Sequence, residues 1–420
     1  MKHARSSRGP GRRTGAGAIV FFTLSGVAAL LGSPLAACGS VTPAPVDAGA
    51  DGAIDGSDDT SFAVTQDVQS DIPPDPVDAL DPDADAADYD AAGCMVLACP
   101  GTCQRGRCVV TLGNGGTYDL ALDSTNVYWT NPGASLGAGS IVTETKDPTG
   151  AMNRTIAAAQ TFPSGIVVDT TNVYWTTKIA SGGAVLKAPK TGLPDGGLAT
   201  SIATNQPSAA ALAIDSTSLY WTNLGAESNA GSIAKAPLTG VAMDGGSADA
   251  GGATVLATGL TLPAAIAVDA QSIYWVETGT MPRTGAVLKM PLAGGAITTL
   301  APGQNQPTTL AVDGTSVYWG QVGGMTNMGA VVKTPLAGGA VTTLVANQAQ
   351  VGAITVDAEH VYWVTTSGTG TGMVLRAALD GSAVTTLIEK QNFASAIAVD
   401  DTSVYWTDDL DGTVMKVTPK

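Results

Sequence analysis

QPTTLAVDGTSVYWGQVGGMTNMGAVVKTPLAGGAVTTLV, residues 306–345, contains one full unit of a recurring pattern. TLAVD reads as a short strand, GTS as a polar turn behind Asp313, and VYWG as a second strand of residues that pack well on a pleat. A glycine-rich loop leads to GAVVKTP, a third strand; LAGG turns the chain tightly, and AVTTLV is a fourth. Nothing in the unit has the length or period of a helix.

The same pattern returns along the chain. Tyr-Trp pairs begin at Tyr128, Tyr174, Tyr220, Tyr274, Tyr318, Tyr362 and Tyr405, and hold all seven tryptophans: Trp129, Trp175, Trp221, Trp275, Trp319, Trp363 and Trp406. Five residues before each tyrosine stands an aspartate: Asp123, Asp169, Asp215, Asp269, Asp313, Asp357 or Asp400. Units of roughly 40–45 residues with four short antiparallel strands match the blades of a β-propeller. Apolar residues of both parities fit sheets covered on both faces by their neighbours. An open stack would leave two apolar faces wet, and a closed ring leaves none.

The chain ends bear on that choice. The last unit stops at GTVMKVTPK, after its third strand, while CVVTL at 108–112 stands before the first unit as an orphan strand. Pairing the two would close an all-β, seven-bladed propeller and remove two open edges. The competing arrangement is an open solenoid with ragged ends.

The units resemble the YWTD repeats of the low-density lipoprotein receptor class. Tyr405, Trp406, Thr407 and Asp408 give the full pattern; residues 128–131 and 220–223 read Tyr-Trp-Thr-Asn, and LDG at 379–381 and 410–412 is similar to a later part of that repeat. The resemblance covers roughly 113–420. It implies a propeller and leaves the function open, because such folds host binding, lyase, hydrolase and scaffold roles alike.

Ahead of the repeats the chain has a different character. Lys2, Arg5, Arg8, Arg12 and Arg13 precede the mostly apolar AIVFFTLSGVAALLG at 18–32 and then LAAC at 35–38, the layout of an export signal over 1–37. Leu35, Ala36, Ala37 and Cys38 resemble a bacterial lipobox, which implies acyl chains on Cys38 and a membrane anchor. Gly39 after the cysteine implies, by enterobacterial sorting rules, an outer-membrane lipoprotein, periplasmic or surface-exposed. Residues 38–93 read as an extended Asp/Ala/Pro-rich tether, with fourteen aspartates between Asp47 and Asp90. A clip follows at 94–108, where Cys94, Cys99, Cys103 and Cys108 would make two disulfides in one of three pairings. A zinc site is the rival, without the usual two-residue knuckle. The propeller is assigned to 109–420. Taken whole, the chain resembles an envelope lipoprotein of myxobacterial type.

Charge and chemistry narrow the function. The net charge of −16 and the lack of a basic stripe argue against nucleic acid. The only histidines are His3, in the signal, and His360, in a hairpin turn, so the exported chain has no second histidine for a metal pair or a triad. No cofactor is expected, and a monomeric propeller is.

The repeated aspartates read as turn caps and the Tyr-Trp pairs as packing between blades. Lys187, Lys235, Lys289, Lys333, Arg376 and Lys416 recur four positions after the third-strand glycine, as solubilising outer residues or as a basic groove. Gln160, Gln206, Gln304, Gln348 and Gln391 lie nine residues before an aspartate, on connections that open on the same face as the variable loops. They read equally as ligand contacts or as loop caps. Glu227, Glu277 and Arg283 stand in those loops. The leading expectation is a non-catalytic, membrane-anchored module that recognises a protein, peptide or glycan through the loop face. The alternative is an envelope hydrolase or lyase using loop carboxylates, favoured if Glu277, Glu227 and His360 meet at one opening.

Overall fold

The computed structural model describes residues 22–23, 99–147, 149, 153–194, 197–225, 227, 229–239, 253–323, 329–366 and 370–420. Cys38, Cys94, the tether and all of the export signal but 22–23 lie outside these. Phe22–Thr23 pairs antiparallel with Thr309 and Leu310.

Seven antiparallel four-stranded blades make a closed propeller. Each runs from an innermost strand outward, as in blade five: Pro307–Val312, Ser316–Gln321, Gly329–Pro335 and Thr342–Gln348. The four-strand order expected from the repeat recurs around the ring, with the fourth strand of blade five shifted to Thr342–Gln348 from the expected 340–345. Innermost strands are built from small residues where the ring is most crowded; Ala209–Ile214, sequence AAALAI, is buried at every position. The third strands open on glycine for a related reason. A Cβ at Gly139, Gly231 or Gly285 would come within 2.5 Å of Pro163, Pro263 or Pro307, the prolines that start the next innermost strand.

Closure runs through blade seven. Its innermost, second and third strands are Ala394–Val399, Val404–Asp408 and Thr413–Thr418, and the fourth comes from the other end of the propeller, Arg107–Asn114. Cys108 lies opposite Thr418, Val109 opposite Val417, and Asn114 opposite Thr413. The unpaired edge of the last unit and the surplus strand before the first therefore satisfy each other's backbone groups. Thr102–Gln104 adds a short fifth strand outside this one.

The clip secures the closing strand. Cys99 and Cys108 form a disulfide, which removes two of the three pairings, and Cys103 is also disulfide-bonded. Arg105, in the hairpin between them, is ion-paired with Glu389 of blade six. The tryptophans are the largest side chains of the core: all seven are 0 % exposed, worth about 3 kcal/mol or more apiece in burial alone.

Candidate functional site

The Asp-x4-Tyr-Trp signature resolves into separate tasks. In blade three, Asp215 Oδ1 accepts the Thr217 and Ser218 backbone N–H groups at 2.7 and 2.8 Å, fixing the hairpin turn, while Oδ2 accepts the Tyr220 hydroxyl at 2.8 Å. The Tyr–Asp bond recurs in all seven blades at 2.7–2.9 Å. Burial alone would raise these carboxyls. The donors around them outweigh it and hold Asp123, Asp169, Asp215, Asp313, Asp357 and Asp400 below the usual range, Asp400 at about 2. The hydroxyls of the seven motif tyrosines are pushed up, by burial and by their aspartates.

The next two residues of the motif reach across blade boundaries. Thr130, Thr176 and Thr222, each following its tryptophan, donate to the Ser164, Ala210 and Ala264 carbonyls of the next innermost strand, at 2.8, 2.7 and 3.3 Å. The tryptophans reach the opposite way, to the preceding blade. Trp175, Trp221, Trp319, Trp363 and Trp406 donate through Nε1 to Gln160, Gln206, Gln304, Gln348 and Gln391 at 2.8–3.1 Å. The amide nitrogen of each glutamine donates to the carbonyl two residues earlier. Both ends of all five amides thus have partners within the fold's own chain, at the loop-face end of each junction. The residue before each of these glutamines has a positive φ, even where it is Ala159, Asn205, Asn347 or Lys390. Before Gln160, Gln304, Gln348 and Gln391 this left-handed step lies in the bulge that ends the outermost strand.

Two junctions depart from this rule. Asn114, on the closing strand, takes the glutamine's place before Trp129, and Leu260 takes it before Trp275; neither indole N–H has a hydrogen-bond partner. A 15-residue spacing from glutamine to tryptophan was the signal available in the sequence for both the pairing and its exceptions.

The recurring basic residues latch the opposite, turn face. Lys187, Lys235, Lys289, Lys333, Arg376 and Lys416 donate to the main-chain oxygens of Leu238, Leu292, Leu336, Leu379, Lys420 and Lys146, each in the following blade, at 2.6–3.0 Å. They form no free basic groove. Blade one has Thr143 at this position, and its junction with blade two is held instead by Lys190 Nζ on Asp123 Oδ2 at 2.7 Å. The two junctions of the closing blade carry both devices, because Lys146 also reaches Asp400 at 2.9 Å and Lys420 reaches Asp357 at 2.7 Å. Sequence reading missed Lys146, Lys190 and Lys420, whose partners lie in other blades.

What differs between blades gathers at the loop face. The second strands end there in Asn131, Thr177, Asn223, Glu277, Gln321, Thr365 and Asp408. Burial raises the Glu277 carboxyl, while the Thr261 N–H and the Trp275 indole beside it pull the other way. Met281 is 62 % exposed in the adjoining loop, and Arg283 is held there at φ 62°. Glu227 lies in the loop of the preceding blade. In blade seven, burial raises Asp409 to about 7, despite its bond to Ser395 and with Asp408 adding to the rise. Among the described residues no group of three His, Cys, Asp or Glu could hold a metal ion.

His360 opens the second strand of blade six, whereas Glu277 ends that of blade four. The second strands all run the same way, so His360 lies at the turn face, away from Glu277 and the loop of Glu227. Its Nδ1 is 4.0 Å from Asp357 and 3.9 Å from Glu359, beside a cleft of about 470 Å³ lined also by Arg376, Pro419 and Lys420.

No protein-family model and no curated protein matches the chain. Solved propellers do. The WD40 β-propeller domain of Doa1 is 10 % identical, with a TM-score of 0.55 over 74 % of this chain and 96 % of that one. A Mycobacterium tuberculosis puromycin-hydrolyzing peptidase is 13 % identical, with a TM-score of 0.50 over 71 % of this chain and 52 % of that one. At such identities the likeness is one of fold.

Proposed function

We propose that the protein is a non-catalytic binding or scaffold module of a bacterial cell envelope, tethered through an acylated Cys38 and recognising a protein, peptide or glycan with its loop face. One observation carries the reading. The repeated side chains are used up in turns and blade junctions, while the residues that differ from blade to blade collect where the second strands end and the loops begin. An unvarying ring that presents varied loops on one side is a common plan for recognition. Kinship with YWTD-type propellers is supported by the work divided among Tyr, Trp and Thr in the repeat. The lipobox at 35–38 and the acidic tether support the envelope assignment. A second reading, a hydrolase or lyase acting through loop carboxylates, draws support from the burial-raised Glu277.

The anchor is tested by membrane fractionation. Wild type should need detergent for release and Cys38→Ala should not; release of wild type in buffer alone would refute acylation. For the loop face, the full chain is incubated with sedimented envelope fragments. Retention should fall at least fivefold in the variant Glu227→Lys, Glu277→Lys, Arg283→Glu and persist with Glu359→Lys, Asp401→Lys on the turn face. The opposite pattern would move recognition to the turn face.

A further inference from the structure

Apart from that of blade five, every innermost strand is paired along one edge only, with the second strand of its own blade. The side chains of these strands are taken up on both sides by neighbouring blades: Leu310 and Val312 belong to one core cluster, and Ala311, between them, to another. What such a strand turns toward the axis of the ring is its second edge, a row of backbone N–H and C=O groups. In blade five that edge is occupied. Phe22–Thr23 pairs with it antiparallel, Phe22 opposite Leu310 and Thr23 opposite Thr309, as a fifth strand on the inner side of the sheet. The same two residues also lie against the innermost strands of blades two, three, four, six and seven. Only a segment on the axis reaches six innermost strands at once. The central channel therefore admits one extended polypeptide and gives it a sheet edge to pair with.

On the export reading proposed above, 1–37 leaves the protein when Cys38 becomes its first residue, and the inner edge of Pro307–Val312 is freed. Resting on that reading, we infer that the channel of the processed protein binds an extended polypeptide segment of a partner, added as a strand to Pro307–Val312. The wall defines the chemistry of that segment. A free strand edge asks for the complementary groups of another strand, so the affinity comes from main-chain pairing. The seven innermost strands contain no Asp, Glu, Lys or Arg. A charged side chain among them would lose its water without gaining a partner. The stretch that enters is therefore uncharged, as AIVFFTLSG at 18–26 is.

The test uses the processed lipoprotein in detergent, with its mass showing the loss of 1–37, and a fluorescent AIVFFTLSG peptide flanked by lysines for solubility. The processed protein should bind the peptide above a detergent blank. Full-length chain that keeps 1–37, made by cell-free synthesis in the same detergent, should bind at least tenfold more weakly, because its own segment fills the site. Methylating every second backbone nitrogen of the peptide should weaken binding at least tenfold in one of the two frames, whereas scrambling its order should change binding by less than threefold. A photoreactive residue in place of the peptide's second phenylalanine should cross-link to 307–312 or to the innermost strands beside it. A processed protein that does not bind, binding indifferent to methylation in both frames, or cross-links confined to the loops or the outer rim overturns the inference. Such a result, with envelope retention still lost on loop-face charge reversal, leaves the loop-face reading standing. A protein isolated from cells with 1–37 attached overturns the export reading, and the inference with it.

Discussion

Trp221 of blade three donates its indole N–H to Gln206 of blade two at 2.9 Å, inside an interface where both side chains are buried. Asn223 donates to the same oxygen at 3.0 Å. Gln206→Leu keeps the volume roughly constant and strands two donors. Equilibrium denaturation should show a loss of about 2–3 kcal/mol, with the slope on denaturant unchanged. A loss below about 0.5 kcal/mol would mean that the latch contributes little.

The carboxylates predict a bell-shaped stability against pH. Six of the turn aspartates titrate below their ordinary value in the folded state, so their contribution is present above about pH 4 and fades as pH falls toward the folded values, near 2 for Asp400. Asp409 acts with the opposite sign. Raised to about 7, it favours folding while protonated, and that contribution is lost as pH climbs from about 4 to 7. Asp409→Asn should therefore stabilise the protein at pH 8 by roughly 2–4 kcal/mol and flatten the fall in stability between about pH 4 and 7. Melting curves at half-unit pH intervals would show it, and an unchanged fall would reassign the titration.

Lys146 and Lys187 both bridge a blade junction on the turn face, with unequal duties. Lys187 meets two carbonyl oxygens, whereas Lys146 meets the Asp400 carboxylate and its own backbone oxygen receives Lys416. Replacement by methionine should cost about 1 kcal/mol at Lys187 and about 2 kcal/mol at Lys146, because the latter strands a part-buried charge. Equal costs in chemical denaturation would argue against a reinforced seam.

The closing strand supplies a fourth test. The Cys99–Cys108 bond spans a separation of nine residues, for which chain entropy suggests about 2.5 kcal/mol. Cys99→Ser, Cys108→Ser should lower stability by that order and speed hydrogen exchange at Val109, Val110 and Val417 before residues of blades three to five. Uniform acceleration around the ring would mean that the seam is not where opening begins.

Much of this architecture is legible in the chain by itself. The period, the strand order within a unit, the turn role of Asp313 and its six counterparts, and the complementary chain ends all follow from local pattern. Strand alternation and turn chemistry act over a few residues, so they leave a direct trace in sequence. The identity of the glutamines' partners leaves only a faint one. Gln160 and Trp175 are neighbours because consecutive blades stack face to face, and the rotation between sheets sets which side chains meet. The same holds for Lys146 and Asp400, 254 residues apart. Linear reading left the glutamines equally as ligand contacts or loop caps, and the blade stacking gives both ends of their amides partners at the junctions.

Sequence alone therefore determined the repeat, the sheets and the closure, since each rests on backbone pairing and hydrophobic period. Only the tertiary structure decided which polar groups the ring consumes and which indoles it leaves without a glutamine, at Trp129 and Trp275. Hydrogen-bond satisfaction is settled by distance and direction between blades, and neither is written along the chain.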